Sequence, residues 1–252
     1  MTNDLQTSEI RQALGAYDAL PLEVLQATDS TNRRLKEAAR DGLRAPFLLI
    51  ADTQSAGRGR LGRQFVSPPG TGLYLSMLLP MPEQDALPPT VTAAAAVARA
   101  IRLTCGMQVK IKWVNDLFLR GKKVCGILAE SAAGQIVLGI GVNVRTPPGG
   151  FPGLPIAGAL DAPVSRGFLA GRVAACMLDA LKAPREEVLT AYRENMLLLG
   201  KSVTFVQNGM EKTALATGID AQGGLIVTCD GRETVLRCGE VSLHSDSFLG
   251  LE

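Results

Sequence analysis

The sequence predicts an α+β protein: a mixed sheet flanked by helices over residues 1–199, then a small β-barrel over residues 200–252. Three observations carry this. Strand-like runs and helical patterns intermingle before residue 200 with few strict βαβ alternations, which argues against a doubly wound sheet. After Gly200, short alternating segments follow one another across tight turns, among them Asn208-Gly209, Gly223-Gly224 and Asp230-Gly231. Hydrophobic residues make up 46% and charged residues 20% of the 252, the balance of a folded globular chain.

Taken in order, residues 1–26 read as a polar lead-in with one short helix. Thr31–Arg40 is an amphipathic helix with Leu35, Ala38 and Ala39 on one face, and Asp29, Ser30 and Thr31 are cap candidates at its start. A strand follows at 47–52 and another at Leu73–Leu79, after the turn-rich Ser67-Pro68-Pro69-Gly70. Thr90–Cys105 is Ala-rich and apolar most of the way round, as a helix packed in a core would be. Gln108–Trp113 alternates as a strand, while Leu117–Arg120 and Lys122–Glu130 read as a hairpin around Gly121. A further strand spans Gln135–Val144. A Pro/Gly-rich stretch at 146–158 precedes helices near 165–181 and 185–196. The C-terminal strands are expected at Ser202–Val206, Lys212–Ile219, Leu225–Thr228 and Thr234–Arg237.

Composition excludes several function classes. The net charge is only +2, so no global footprint for duplex DNA is present. Apolar runs are broken by charge, Gly or Pro well short of a membrane span, and no basic n-region follows Met1, so a cytoplasmic protein away from membranes is expected. Five cysteines (Cys105, Cys125, Cys176, Cys229, Cys238) and a single histidine, with no Cys-x-x-Cys pair, argue against a disulfide framework or a bound structural metal.

The densest chemistry lies in Gln54-Ser55-Ala56-Gly57-Arg58-Gly59-Arg60-Leu61-Gly62-Arg63, which leaves the apolar run Phe47–Ala51. Glycine lets a backbone approach a ligand closely, and arginine offers a fixed fork of donors to carboxylate or phosphate. The loop thus suits a small anion. Gly-Arg alternation also occurs in RNA-binding segments that track a phosphate backbone, and alone the loop does not decide between the two.

Four further clusters decide it: Asp29-Ser30-Thr31-Asn32, Lys112-Trp113-Val114-Asn115-Asp116, Gly121-Lys122-Lys123-Val124-Cys125-Gly126-Ile127-Leu128, and Gly139-Ile140-Gly141-Val142-Asn143-Val144. With the arginine loop, and in this order, they resemble the biotin protein ligase family, whose patterns read roughly D/S-S-T-N, Q-x-x-G-R-G-R-x-G-R, K-W-P-N-D, a lysine before x-x-G-I-L-x-E, and G-I-G-x-N-V. The resemblance covers residues 28–145 with specific motifs. It extends more weakly to Gly239-Glu240-Val241-Ser242-Leu243, which is similar to the family's closing strand.

The resemblance implies a class II synthetase-like catalytic domain followed by an SH3-like barrel. It implies an ATP-dependent ligase that activates biotin as biotinyl-5'-AMP and transfers it to a lysine of a biotin carboxyl carrier protein, with Mg²⁺ as activating ion. Ser30, Thr31 and Asn32 would hydrogen-bond the ureido ring of biotin, with Gln54, Gly57, Gly59 and the Arg58–Arg60 backbone along its tail. Lys123 would bridge carboxylate and α-phosphate, Arg58 and Arg60 would offset their charge, and Gly126 would leave room beside the sheet. Asn143 would read the adenine; Arg63, Phe65 and Lys112 would shape the nucleotide end. Asn115 and Asp116 would lie near the phosphates, Asp116 activating the acceptor lysine and contacting Mg²⁺.

Each residue also has a plain structural reading. Ser30 and Thr31 suffice as helix caps, Asn115-Asp116 as a turn, Gly139 and Gly141 as a bulge, Trp113 as core, and Lys122 as an exposed strand residue. The chain departs from the family's patterns at Val114, where proline is usual, at Phe65, where tryptophan is common, and at His244, where arginine is frequent. Fewer than thirty residues precede Ser30, so no DNA-binding domain and no DNA partner are expected; a homodimer is left open. The competing functions are a lipoate or octanoyl ligase of similar fold and, in another class, a non-catalytic RNA-binding module.

Overall fold

The most apolar runs of the chain form a sheet. The computed structural model describes residues 4–207, 209–229 and 231–243. Seven strands, β1 (Leu22–Thr28), β2 (Phe47–Gln54), β3 (Gly72–Pro80), β4 (Lys110–Lys112), β5 (Asp116–Leu119), β6 (Lys122–Ala132) and β7 (Gln135–Asn143), lie in the order β1-β2-β3-β7-β6-β5-β4. Only β1 and β2 are parallel; the other neighbours are antiparallel.

Alternation along each strand sorts side chains to two faces. Leu48, Ile50, Leu73, Leu75, Met77, Leu138, Ile140 and Val142 share one apolar cluster with the helices α1 (Thr7–Leu14), α3 (Pro89–Cys105), α4 (Arg166–Lys182) and α5 (Arg185–Glu194). On the other face, Leu49, Leu78 and Val137 pack with Leu35 and Ala39 of α2 (Thr31–Arg40). One short helix covers less of this face than four cover its reverse. The site is built on the side with the thinner cover.

The expected hairpin around Gly121 is present, with Arg120 (φ 47°) and Gly121 (φ 72°) supplying the two positive-φ positions of a tight turn. Residues 1–26 differ from the expected polar lead-in: Leu22–Thr28 is a strand at the sheet edge. Its partly exposed residues give no clean two-residue alternation, so the sequence pattern hides it. Gly139 and Gly141 mark no bulge either, since β7 pairs in unbroken register with both β3 and β6.

After residue 200, β8 (Ser202–Gln207), β9 (Met210–Ile219), β10 (Leu225–Cys229), β11 (Arg232–Leu236) and β12 (Val241–Leu243) form an antiparallel SH3-like sheet in the order β11-β10-β9-β8-β12. It is tied to the first unit: Trp113 Nε1 donates to the Gly223 carbonyl at 3.0 Å, and Val203, Phe205 and Leu225 belong to the same apolar cluster as Ile111 and Trp113. His244 lies outside the described residues.

Helix α1 reaches α4 closely because Gly171 lacks a side chain. A Cβ there would overlap the Ile10 carbonyl oxygen and stand 2.8 Å from the Ala13 Cβ. Alanine would gain about 1 kcal/mol of helix propensity over glycine, but forcing two helices apart costs about 1–3 kcal/mol. Gly171→Ala is expected to lower the stability in urea unfolding, by up to about 2 kcal/mol; an increase would contradict this packing.

Candidate active site

A cleft of about 480 Å³ opens on the α2 face of the sheet. Its floor follows from register. Lys112 of β4 is opposite Asp116 of β5, Asp116 is opposite Gly126 of β6, Gly126 is opposite Gly141 of β7, and Gly141 is opposite Tyr74 of β3. Directly paired residues share a face, so this row presents two charges, two bare glycines and a tyrosine. One pair further along, Leu128, Gly139 and Ser76 form a second row.

The bare positions receive side chains from above. A Cβ at Gly139 would overlap the Asn32 side chain, and one at Gly141 would stand 2.5 Å from Cζ of Phe65. Gly126 is looser, with Phe65 Cε2 at 3.4 Å and Lys123 Nζ at 3.6 Å from such a Cβ. The Phe65 ring meets Tyr74 edge-on, with centroids 6.3 Å apart.

One end of the cleft is a polar pocket. Ser30 caps α2, its hydroxyl accepting from the Arg33 amide at 3.5 Å. Thr31 donates its amide (2.9 Å) and its hydroxyl (3.1 Å) to Gln54 Oε1, and Gln54 Nε2 donates to the Ser67 hydroxyl at 2.9 Å. Ser76 donates to Asn32 Oδ1 at 2.6 Å, and Asn32 Nδ2 donates to Glu130 Oε2 at 2.9 Å. Lys36 closes the chain on Glu130 Oε1 at 2.6 Å, while Arg58 Nη1 stands 3.9 Å from that oxygen. Burial would raise the Glu130 carboxyl, but the Lys36 and Asn32 hydrogen bonds outweigh it and hold the group below the ordinary glutamate range.

The other end is cationic. Lys123 Nζ lies 2.7 Å from Asp116 Oδ2. Arg60 donates to Asn115 Oδ1 at 2.8 Å and to the Gly239 carbonyl at 2.7 Å, so the arginine loop spans from the turn before β5 to the C-terminal unit. Arg63 pairs with Glu240 at 2.7 Å. Lys112 carries a lowered pKa, first because burial penalises its charge and further because Lys123 is near, with Asp116 opposing. Asn115 is buried and is no simple turn residue: its amide also donates to the Ile127 carbonyl at 2.9 Å. The peptide between Trp113 and Val114 is cis.

Of the residues predicted from sequence, Ser30, Thr31, Asn32, Gln54, Arg58, Gly59, Arg60, Arg63, Phe65, Lys112, Asn115, Asp116, Lys123, Gly126 and Asn143 line this one cleft. Gly57 packs inside the loop's own turn, where a Cβ would overlap the Phe65 carbonyl oxygen and meet Ser67 Oγ at 2.8 Å and Gln54 Nε2 at 3.0 Å. Asn143 Nδ2 donates to the Gly158 carbonyl at 2.8 Å, which ties β7 to the segment carrying Phe151, Leu154 and Ile156 over the cleft. Lys122 points away and donates to the Pro155 carbonyl.

Ser76, Tyr74, Glu130 and Glu240 are among the contributors that the sequence reading does not assign. Glu130 closes the G-I-L-x-E string and Glu240 lies in the quoted closing strand, so for those two a signal was available. For Ser76 and Tyr74, only the strand register identifies the face they occupy.

Among the described residues no group of three or more His, Cys, Asp or Glu side chains is arranged to hold a metal ion. The depressed Glu130 pKa fixes a pH dependence. Its ionised form contributes stability above the unfolded glutamate value, about 4.3, and the contribution is lost as pH falls through the lower folded value. The stability difference between wild type and Glu130→Gln, measured by urea unfolding, is therefore expected to be constant from about pH 6 to 8 and to shrink below about pH 4. A gap unchanged at about pH 3 would contradict the pairing.

Residues 24–146 match the biotin/lipoate A/B protein ligase family, and residues 198–243 match the biotin protein ligase C-terminal domain. The chain is similar to the bifunctional ligase/repressor BirA of Escherichia coli (strain K12), with 32% identity over 266 residues covering 96% of this chain and 79% of that protein. It is 30% identical over 239 residues to the biotin–[acetyl-CoA-carboxylase] ligase of Paracoccus denitrificans, covering 86% of this chain and 98% of the relative. Among solved structures it is similar to the biotin protein ligase from Aquifex aeolicus in complex with biotin and ATP, with a TM-score of 0.77, 29% identity and coverage of 89% and 98%. The specific motifs, the two-part fold and these similarities over most of the chain converge, and the chain belongs to the biotin protein ligase family.

Proposed function

We propose that this chain joins the carboxylate of biotin to the α-phosphate of ATP and passes the biotinyl group to a lysine of a biotin carboxyl carrier protein, the acceptor unit of acetyl-CoA carboxylase. The observation that carries the reading is a single cleft with a neutral hydrogen-bonding pocket at one end and converging cations at the other. Ser30, Thr31, Asn32 and Gln54 suit a small uncharged ring with N–H and C=O groups. Arg60, Arg63, Lys112 and Lys123 suit phosphates.

Two anions must meet for the first step, and at ~4 Å like unit charges repel by about 4 kcal/mol at an effective dielectric near 20. Lys123 stands where the two would join and offsets that repulsion. A carboxylate oxygen attacks the α-phosphorus and pyrophosphate leaves, with Arg58 and Arg60 stabilising the charge that develops. Lys123 then exchanges its partner Asp116 for substrate oxygens, which frees Asp116 to receive the acceptor amine. That amine attacks the carbonyl carbon, Asp116 takes its proton, and AMP leaves with the bridging oxygen. The mixed anhydride hydrolyses in water, so the arginine loop has to cover it between the steps.

Asp116 is one carboxylate beside the proposed phosphates. That donor set suits Mg²⁺ carried in with the nucleotide, since Mg²⁺ favours one or two carboxylates plus substrate phosphates. When bound it would neutralise phosphate charge. Three relations support Asp116 as the acceptor's partner: its place on the floor row, its 2.7 Å contact with Lys123 and its hydrogen bond from Asn115.

Incubation with biotin, ATP, Mg²⁺ and a carrier domain should add one biotinyl group to the carrier by mass spectrometry; an unchanged mass would reject the function. Lys123→Ala should suppress biotinyl-adenylate formation by about 10²–10³-fold, the range seen when one transition-state donor is removed. Lys122→Ala, which removes an exposed strand contact, should stay within about twofold. Equal effects would reassign the lysine.

A further inference from the structure

An ion cluster outside the cleft grips both ends of the arginine loop. The loop's stem closes where the Gln54 amide donates to the Ser67 carbonyl at 3.2 Å and Thr53 Oγ1 donates to the same oxygen at 2.8 Å. Asp52 lies just before this closure and Gly70–Gly72 just after it. Arg166, at the start of α4 and only 2% exposed, donates through Nη1 to Asp52 Oδ1 at 2.6 Å and to the Gly72 carbonyl at 3.2 Å. Asp52 Oδ1 also accepts from the Gly70 amide at 3.1 Å, and Arg145 Nη1 donates to the Gly70 carbonyl at 3.1 Å.

Asp4 holds the two arginines together. Its carboxylate accepts from Arg166 Nε at 2.6 Å, from the Arg166 amide at 3.2 Å and from Arg145 Nη2 at 2.6 Å. Burial would raise the Asp4 carboxyl, but these arginine bonds hold it below the usual range. A buried guanidinium is tolerated only when it is paired; here Nε is used on Asp4 and Nη1 on Asp52 and Gly72, the groups at the loop's two ends. None of these four side chains lines the cleft.

We propose that Arg166, fixed by Asp4, is a positioning residue that sets the stem of the arginine loop and thereby holds Gln54 against Thr31 at the biotin end of the cleft. The proposal deepens the biotin-ligase reading and rests on it for the identity of the ligand. Gln54 is two residues beyond Asp52, and Ser67, to which Gln54 donates, is three residues before Gly70. Slack in the stem therefore reaches the Thr31–Gln54 bonds directly, whereas Lys123 and Asp116 sit on the other side of the cleft, in β6 and β5.

The test compares wild type, Arg166→Lys, Asp4→Asn and the control Val188→Ala, which thins the core in α5 away from the loop. Lysine keeps the charge but cannot reach Asp4, Asp52 and Gly72 at once. Two readouts are taken: the rate of tryptic cleavage at Arg58, Arg60 and Arg63 in the ligand-free protein, and the KM for biotin at saturating ATP. Arg166→Lys and Asp4→Asn should each raise both by about tenfold, the effect of about 1.4 kcal/mol of lost order. The value of kcat should stay within about twofold of wild type, and Val188→Ala should leave both readouts unchanged while lowering the thermal midpoint. Equal changes in Val188→Ala, or unchanged cleavage in Arg166→Lys and Asp4→Asn, would overturn the proposal. If wild type itself fails to use biotin, the ligand assignment falls, while the cleavage rates still judge the stem.

Discussion

The register of β6 and β7 is the constraint on which the rest of the site depends. Because Gly126, Gly141 and Gly139 fall on the α2 face of adjacent strands, the middle of a seven-stranded sheet has almost no side chains there. A one-residue slip would turn that face over and put Ile127, Ile140 and Leu138 into the cleft. The gap is filled by groups reaching in from other segments: Asn32 from α2 over Gly139, and Phe65 from the arginine loop over Gly126 and Gly141. The same register sets Asp116 and Lys112 at the end of the row, so one geometric fact yields both a slot and its charged border.

Electrostatics divides the slot. At one end Glu130 is neutralised by Lys36 and hydrogen-bonded by Asn32. At the other, Lys112, Lys123, Arg60 and Arg63 outnumber Asp116 and Glu240, and burial already penalises the charge of Lys112. Such a site gains most from an anion that replaces missing counter-charge. The C-terminal sheet takes part in this balance, since Gly239 and Glu240 hold Arg60 and Arg63. In the proposed mechanism Lys123 leaves Asp116 for substrate oxygens, so binding exchanges one ionic contact for another rather than creating it from nothing.

Much of this was legible in the sequence, and what was not has physical causes. Helices α2 to α5 and the hairpin at Gly121 follow from periodicity and turn chemistry, which are local. The five ordered clusters supply the polar and charged core of the cleft wall, because close approach, charge and amide recognition need particular residue types. Gly57 makes room within the loop for the Phe65 carbonyl, Ser67 and Gln54; a glycine in a string does not reveal which neighbour it makes room for. Ser76 and Tyr74 stayed hidden because their strand is apolar on both faces, and β1 because an edge strand is half-wet on both. The Asp4–Arg166–Asp52 cluster joins residues far apart in the chain, and no local pattern announces it.

Formation of a bond between the biotin carboxylate and the α-phosphorus is the central claim, and oxygen transfer tests it most directly. Biotin labelled with ¹⁸O in both carboxylate oxygens is turned over with ATP and a carrier domain, and the released AMP is weighed. The account predicts that AMP carries one ¹⁸O atom from the broken anhydride while the new amide keeps the other. Unlabelled AMP, or label appearing in inorganic phosphate instead, would contradict it.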